Sequence, residues 1–198
     1  MGKEYKSTFL RNTLENLGIF EKKTCQLYED LTEKMDSPLT KSLMQCISLD
    51  SKKHATLLKG LAITMPKSPK PLDAPKGMKE AWKTIDNFQI ELSKVDSMTT
   101  EELANVCTQL TCLETTLAEE YLELIEYDAL ESLHEALNSS HAISFESIKT
   151  LLLEAHRDEE YHKIVLAVAA ELPCVVAKKI ENTPMVKFRN PDAWAAPC

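Results

Sequence analysis

Apolar residues recur at alternating intervals of three and four along most of this chain, and each track ends at turn chemistry, which predicts a succession of amphipathic helices. The first track is Leu10, Leu14, Leu17, Glu21, Thr24, Tyr28, Leu31 and Met35, a helix over residues 7–35. Asp36-Ser37-Pro38 then supplies an N-cap and a proline at the first helical position for a second helix, residues 38–62, with Leu43, Ile47, Asp50, His54, Leu57 and Leu61 on one seam. Pro66, Pro69, Pro71 and Pro75 predict an extended crossing segment. Beyond it Met78, Ala81, Trp82, Ile85, Phe88, Leu92 and Val95 outline an accessory helix over 78–95.

Thr99 followed by Glu102 is a capping-box pair, and it opens a helix over 99–137 carrying Leu103, Val106, Leu110, Leu113, Leu117, Glu120, Leu124 and Tyr127. So long a helix is unusual, and a kink or break is expected at residues 132–135. Asn138-Ser139-Ser140 marks a turn, and Ser144 caps a last helix over 144–172 with Ile148, Leu152, Ala155, Glu159, His162, Leu166 and Ala169 on its seam. Residues 1–172 thus read as one helical bundle. Residues 173–198 lack sustained periodicity but hold Val186, Phe188 and Trp194, which fits a C-terminal tail packed on the bundle or on a neighbouring subunit.

Ionisable residues interrupt these apolar tracks. Glu21, His54, Glu120, Glu159 and His162 all stand where an apolar residue would be expected. An unpaired buried carboxylate costs several kcal/mol against a domain stability of roughly 5 to 15, so something must compensate each one. Glu159 and His162, three positions apart, leave the same side of their helix. A metal ion held by several such residues satisfies them together. Asp50 and Glu123 are reserve ligands, whereas Glu114, Glu119 and His156 read as solvated. For single residues plainer roles stay open: Glu21 as a protonated core acid or a lysine's partner, His54 as a hydrogen-bonded core histidine, Tyr28 and Tyr127 as packing.

Composition narrows the class. At 198 residues and 43% hydrophobic content the chain is long enough for one domain with a core, and four glycines with few β-branched runs favour an all-α fold. A net charge of −8 makes a nucleic-acid surface unexpected, since phosphate neutralisation needs clustered Lys and Arg. No run approaches the roughly 18 apolar residues of a membrane span. MGKEYKSTF has no apolar signal region. A cytoplasmic location is therefore expected, with Cys25, Cys46 and Cys107 as small core residues and the six cysteines as free thiols. None of them forms a Cys-x-x-C pair, which argues against a zinc ribbon or rubredoxin-type site.

The strongest signal is a duplication. Glu21-x6-Tyr28-Glu29-x-Leu31 is matched by Glu120-x6-Tyr127-Asp128-x-Leu130, and Asp50-Ser51-x-x-His54 by Asp158-Glu159-x-x-His162. Over about residues 7–172 this resembles the ferritin-like superfamily, and within it the rubrerythrin-like di-iron carboxylate proteins, which place one Glu on each of two helices and a Glu-x-x-His pair on each of the other two. The resemblance implies a four-helix bundle with a long crossover carrying the accessory helix. It also implies a metal centre ligated by Glu21, His54, Glu120, Glu159 and His162, with Tyr28 and Tyr127 hydrogen-bonding behind the ligands.

Ser51 departs from the family's pattern, which has a bridging Glu at that place, so the expectation is two irons or one iron with a weak second site. Manganese and zinc also suit imidazole and carboxylate donors. By the same resemblance the chain acts as an oxidoreductase on peroxide or dioxygen, as a homodimer or larger homo-oligomer with an external electron donor. The alternatives are an iron-handling protein without turnover and a metal-free structural or interaction module.

Overall fold

The computed structural model describes residues 3–65, 76–126, 129–141 and 144–172. The proline-rich crossing segment, Tyr127 and the C-terminal tail lie outside them. Six helices follow one another: α1 (Lys3–Glu33), α2 (Pro38–Thr64), α3 (Lys76–Leu92), α4 (Thr100–Glu126), α5 (Ala129–His141) and α6 (Phe145–Glu171). The fold is all-α among the described residues. None of these helices is long and apolar enough to cross a membrane.

Local chemistry sets the helix ends. Ser37 accepts a hydrogen bond from the Thr40 amide at the start of α2, with Pro38 in the first turn where a missing N–H costs nothing. Thr99 and Glu102 cap α4 reciprocally, the Thr99 amide donating to Glu102 Oε2 (2.8 Å) and the Glu102 amide to Thr99 Oγ1 (3.2 Å). Ser144 accepts from the Ser147 amide at the start of α6. The accessory helix stops at Leu92 rather than Val95, because Lys94 and Val95 donate to carbonyls three residues back and tighten the chain into a turn. The break expected at residues 132–135 does not fall there, since those residues lie inside α5.

α1 packs antiparallel against α2 and α4 against α6, and the two pairs face each other across one core. α5 touches both pairs, burying Leu130, Leu133 and Leu137. α3 lies on α1, held by the Lys23–Asp86 ion pair and by Gln89 donating to Asp30 Oδ2 at 2.9 Å. The interior is closed by fully buried Phe20, Leu14, Leu17, Leu31, Met44, Ile47, Leu58 and Leu166, each worth roughly 1.5 to 3 kcal/mol of burial.

The two pairs are internal repeats in packing as well as in sequence. At one constant spacing, Leu10, Leu17, Phe20, Glu21, Tyr28 and Leu31 of α1 correspond to Leu103, Leu110, Leu113, Glu114, Tyr121 and Leu124 of α4, and every member of both sets is buried. At another, Thr40, Met44, Ile47, Ser51, His54 and Leu58 of α2 correspond to Ile148, Leu152, Ala155, Glu159, His162 and Leu166 of α6, again all buried.

Two expectations about cysteine are corrected. Cys25 and Cys107 are buried, but Cys46 is exposed, because the α2 face that turns inward runs through Met44 and Ile47 on either side of it. Cys112 is disulfide-bonded, not a free thiol.

Candidate metal centre

Each helix of the two pairs sends acidic, imidazole or phenolic side chains to the middle of the core. α1 contributes Glu21 and Tyr28, α4 contributes Glu114 and Tyr121, α2 contributes His54, and α6 contributes Glu159 and His162. All seven are at most 1% exposed. They form two groups, Glu21, His54 and Glu159, and Glu114, Glu159 and His162, in each of which one donor atom per residue lies within 4.8 Å of the others. Glu159 belongs to both. The two imidazole centroids are 6.4 Å apart.

The contacts are reciprocal across the two halves. Tyr28 donates to Glu114 Oε1 and Tyr121 donates to Glu21 Oε1 (2.7 Å), so each half's tyrosine holds the other half's carboxylate. His54 Nδ1 faces inward, 3.2 Å from Glu21 Oε1 and 2.9 Å from Glu159 Oε1, while its Nε2 faces outward, 3.0 Å from Asp158 Oδ2. His162 repeats the arrangement, with Nδ1 3.0 Å from Glu114 Oε2 and 3.4 Å from Glu159 Oε2, and Nε2 3.4 Å from Asp50 Oδ2. Lys53, exposed at the surface, bridges the two outer carboxylates, Asp50 at 2.8 Å and Asp158 at 2.6 Å.

This environment reshapes the acid–base chemistry. Burial alone would depress the histidines, but Glu159 and Glu21 lift His54 from 6.5 to about 10, and Glu114 with Glu159 lift His162 to about 11. Glu114 feels burial in the opposite direction, and its pairing with His162 wins and holds it below the ordinary carboxylate value. Glu159 is pushed well up, first by burial and then by the neighbouring Glu21 and Glu114 carboxylates. Burial and the adjacent carboxylates likewise push the Tyr28 and Tyr121 hydroxyls well up, so both stay neutral donors. Asp158 is drawn down by Lys53 and His54 despite partial burial. Without a metal, two imidazolium ions therefore share this core with a Glu159 whose charged form is disfavoured.

Several buried atoms have no hydrogen-bond partner among the described residues: both oxygens of Glu159, Glu21 Oε2 and, three residues before His54, Ser51 Oγ. The approaches of the two Nδ1 atoms to Glu159 are close enough for ion pairing, yet neither oxygen accepts a well-directed hydrogen bond. Such orphaned groups are costly in a core, and Glu21 and Glu159 belong to the two groups. The inward Nδ1 atoms, the shared carboxylate and the terminal carboxylates make a donor set suited to divalent iron, manganese or zinc. The outer aspartates fit the same role, since an acceptor at Nε2 fixes the tautomer that leaves Nδ1 with its lone pair.

Of the residues singled out in the sequence, Glu21, His54, Glu159 and His162 are brought together, and Tyr28 lies behind them. Glu120 is not: it is partly exposed on α4 beside Glu119 and Glu123, and burial together with those like charges raises it to about 7. Glu123 is exposed. Asp50 lies outside both groups, occupied with Lys53 and His162 Nε2. Glu114, read as solvated, is fully buried in the second group, and Tyr121 was missed altogether.

The physical reason is helical geometry. Steps of 3 and 4 from Leu113 to Leu124 pass through Leu117 and Glu120, but Glu114, Leu117, Tyr121 and Leu124 obey the same rule, because an apolar stripe more than 100° wide admits both tracks. Glu114-x6-Tyr121 repeats Glu21-x6-Tyr28 as faithfully as Glu120-x6-Tyr127 does. Matching the whole of α1 to α4, Leu10 with Leu103 through Leu31 with Leu124, would have selected it.

In comparison with known proteins, the chain matches no family model, no curated protein and no solved structure.

Proposed function

We propose that this protein is a ferritin-like metal-binding bundle whose buried centre holds divalent iron and reduces peroxide or dioxygen. The observation that carries the reading is the pair of buried Glu/His groups sharing Glu159, with oxygen atoms there that nothing else satisfies. Glu21 and His54 would hold one ion, Glu114 and His162 the other, and Glu159 both. Two ferrous ions supply the two electrons that cleavage of a peroxide O–O bond requires.

The chain's own residues do the rest. Asp158 and Asp50 keep the imidazoles turned with Nδ1 inward. Tyr121 and Tyr28 fix the terminal carboxylates Glu21 and Glu114 by hydrogen bonds. Phe20, Leu17, Ile47 and Leu166 surround the centre with apolar side chains and exclude bulk water. Reducing equivalents for turnover come from a donor outside this centre.

Anaerobic Fe(II) titration followed by peroxide tests the proposal. It expects uptake of up to two irons per chain, a near-ultraviolet absorbance change on oxidation, and catalytic peroxide loss with a reductant present. No iron uptake would remove it.

A second reading, a bundle that keeps the cluster for structure alone, has one observation in its favour: both nitrogens of each histidine already face carboxylates. It expects unchanged thermal stability on adding Fe(II), Mn(II) or Zn(II), because an ion that binds only the folded state must raise it.

A further inference from the structure

We propose that the centre takes a small exogenous monoanion of the carboxylate class (formate, acetate or bicarbonate) beside Ser51, where it bridges the two ions opposite Glu159. This rests on the two-ion reading above.

The repeat carries the inference. Glu21 corresponds to Glu114, Tyr28 to Tyr121, His54 to His162 and Asp50 to Asp158, like with like at constant spacing. Ser51 corresponds to Glu159, the one mismatch of these five pairs. One half of the centre thus presents a carboxylate from its own helix and the other a hydroxyl. That hydroxyl is 0% exposed and has no hydrogen-bond partner among the described residues. A buried O–H three residues before His54 on α2 cannot serve the cations as a charged donor, but it can donate to an oxyanion bound beside them.

Charge leads to the same place. Two divalent ions bring four positive charges, and Glu21, Glu114 and Glu159 bring three negative ones. One positive charge remains among the fully buried groups, offset only by the net single negative charge that Asp50, Asp158 and Lys53 carry at the partly exposed edge. A second glutamate in place of Ser51 would cancel it, and in its absence a monoanion does. Asp50 does not fill this role from the neighbouring position, since its carboxylate is turned outward to Lys53 and to the far nitrogen of His162. A carboxylate-class anion has the two oxygens needed to reach both ions as Glu159 does, and it is small enough to occupy what a glutamate carboxyl would.

The experiment is an anaerobic Co(II) titration of the metal-free full-length chain, followed by calorimetry and visible absorption. The buffer contains perchlorate as its only added anion and is freed of carbon dioxide. Parallel titrations add formate, acetate or bicarbonate. The expected result is that at least one of the three tightens the weaker cobalt step by roughly tenfold or more and alters the visible bands. Comparison of the three then identifies the preferred anion.

Ser51→Glu should bind both ions tightly without added anion, with no further response to it. Ser51→Ala keeps the space and folds with less risk, and should retain the anion response in weaker form. Two cobalt ions binding with the same affinities and spectra in every buffer would overturn the inference while leaving the metal-binding reading intact. No cobalt binding by a chain that circular dichroism shows to be helical and cooperatively folded would remove both.

Discussion

Replacing Glu159 by Gln separates a metal centre from a merely structural cluster. Glu159 is the one carboxylate shared by the two groups, and in the metal-free protein burial and its acidic neighbours favour its protonated form. Glutamine has nearly the shape of that neutral acid: its amide N–H₂ stands where the acid's hydroxyl faces one histidine, and its oxygen faces the other. Metal-free Glu159→Gln should therefore lose no more than about 1 kcal/mol, or about 2 to 4 °C in melting temperature for a chain of this size.

The metal-dependent part should vanish. An ion present at 100 times its dissociation constant stabilises the folded state by about 2.7 kcal/mol, which raises the melting temperature of the unaltered protein by about 5 to 11 °C. Glu159→Gln removes the shared anionic donor from both ions and should show no such rise at the same concentration. Differential scanning calorimetry with and without Mn(II), which avoids oxidation, reads both quantities. The reasoning is refuted if the variant keeps the full metal-dependent rise, or if its metal-free form unfolds at a far lower temperature.

The other predictions concern the surrounding residues. Tyr28→Phe leaves a buried, charged Glu114 without its hydroxyl donor, so it should destabilise the metal-free chain by roughly 1.5 to 3 kcal/mol in urea unfolding; an unchanged midpoint would argue against that hydrogen bond. Because His54 and His162 are raised to about 10 and 11, their contribution to metal-free stability is complete below about pH 6.5 and is lost as pH rises through about 10 to 11, which urea midpoints across the alkaline range will show. Metal must displace those Nδ1 protons, so loading two ions should release about two protons, measurable by calorimetry in buffers of different ionisation enthalpy; no release would contradict the assignment of ligands. Glu120→Gln should leave metal stoichiometry unaltered and raise the melting temperature at pH 8, where burial and the repulsion of Glu123 and Glu119 act against its charge, with the gain disappearing near pH 4.

Much of the architecture was legible because helical periodicity and capping are local. The seams of α1, α2 and α6 each required only neighbours three or four residues away, so Glu21, His54, Glu159 and His162 stood out as ionisable residues on apolar tracks. The caps at Ser37, Thr99 and Ser144 depend on contacts within one turn, and they formed as their sequences suggest. The Asp-x-x-x-His duplication was also visible, although the roles of its aspartates were not. Asp50 looked like a replacement ligand until the folded chain turned it toward Lys53.

What sequence alone determined about this protein is therefore the helical class, its duplicated design and an acid-and-imidazole interior. Tertiary structure decided which carboxylate of α4 enters that interior. Two tracks fit the same apolar stripe, so periodicity along α4 does not distinguish Glu114 from Glu120; the full-length match of α1 to α4 favours Glu114, and Tyr28 and His162 on other helices hold it. Packing decided as well that Glu159 serves both groups, because a side chain's neighbours across a bundle are fixed by how the helices dock and not by spacing along any one of them.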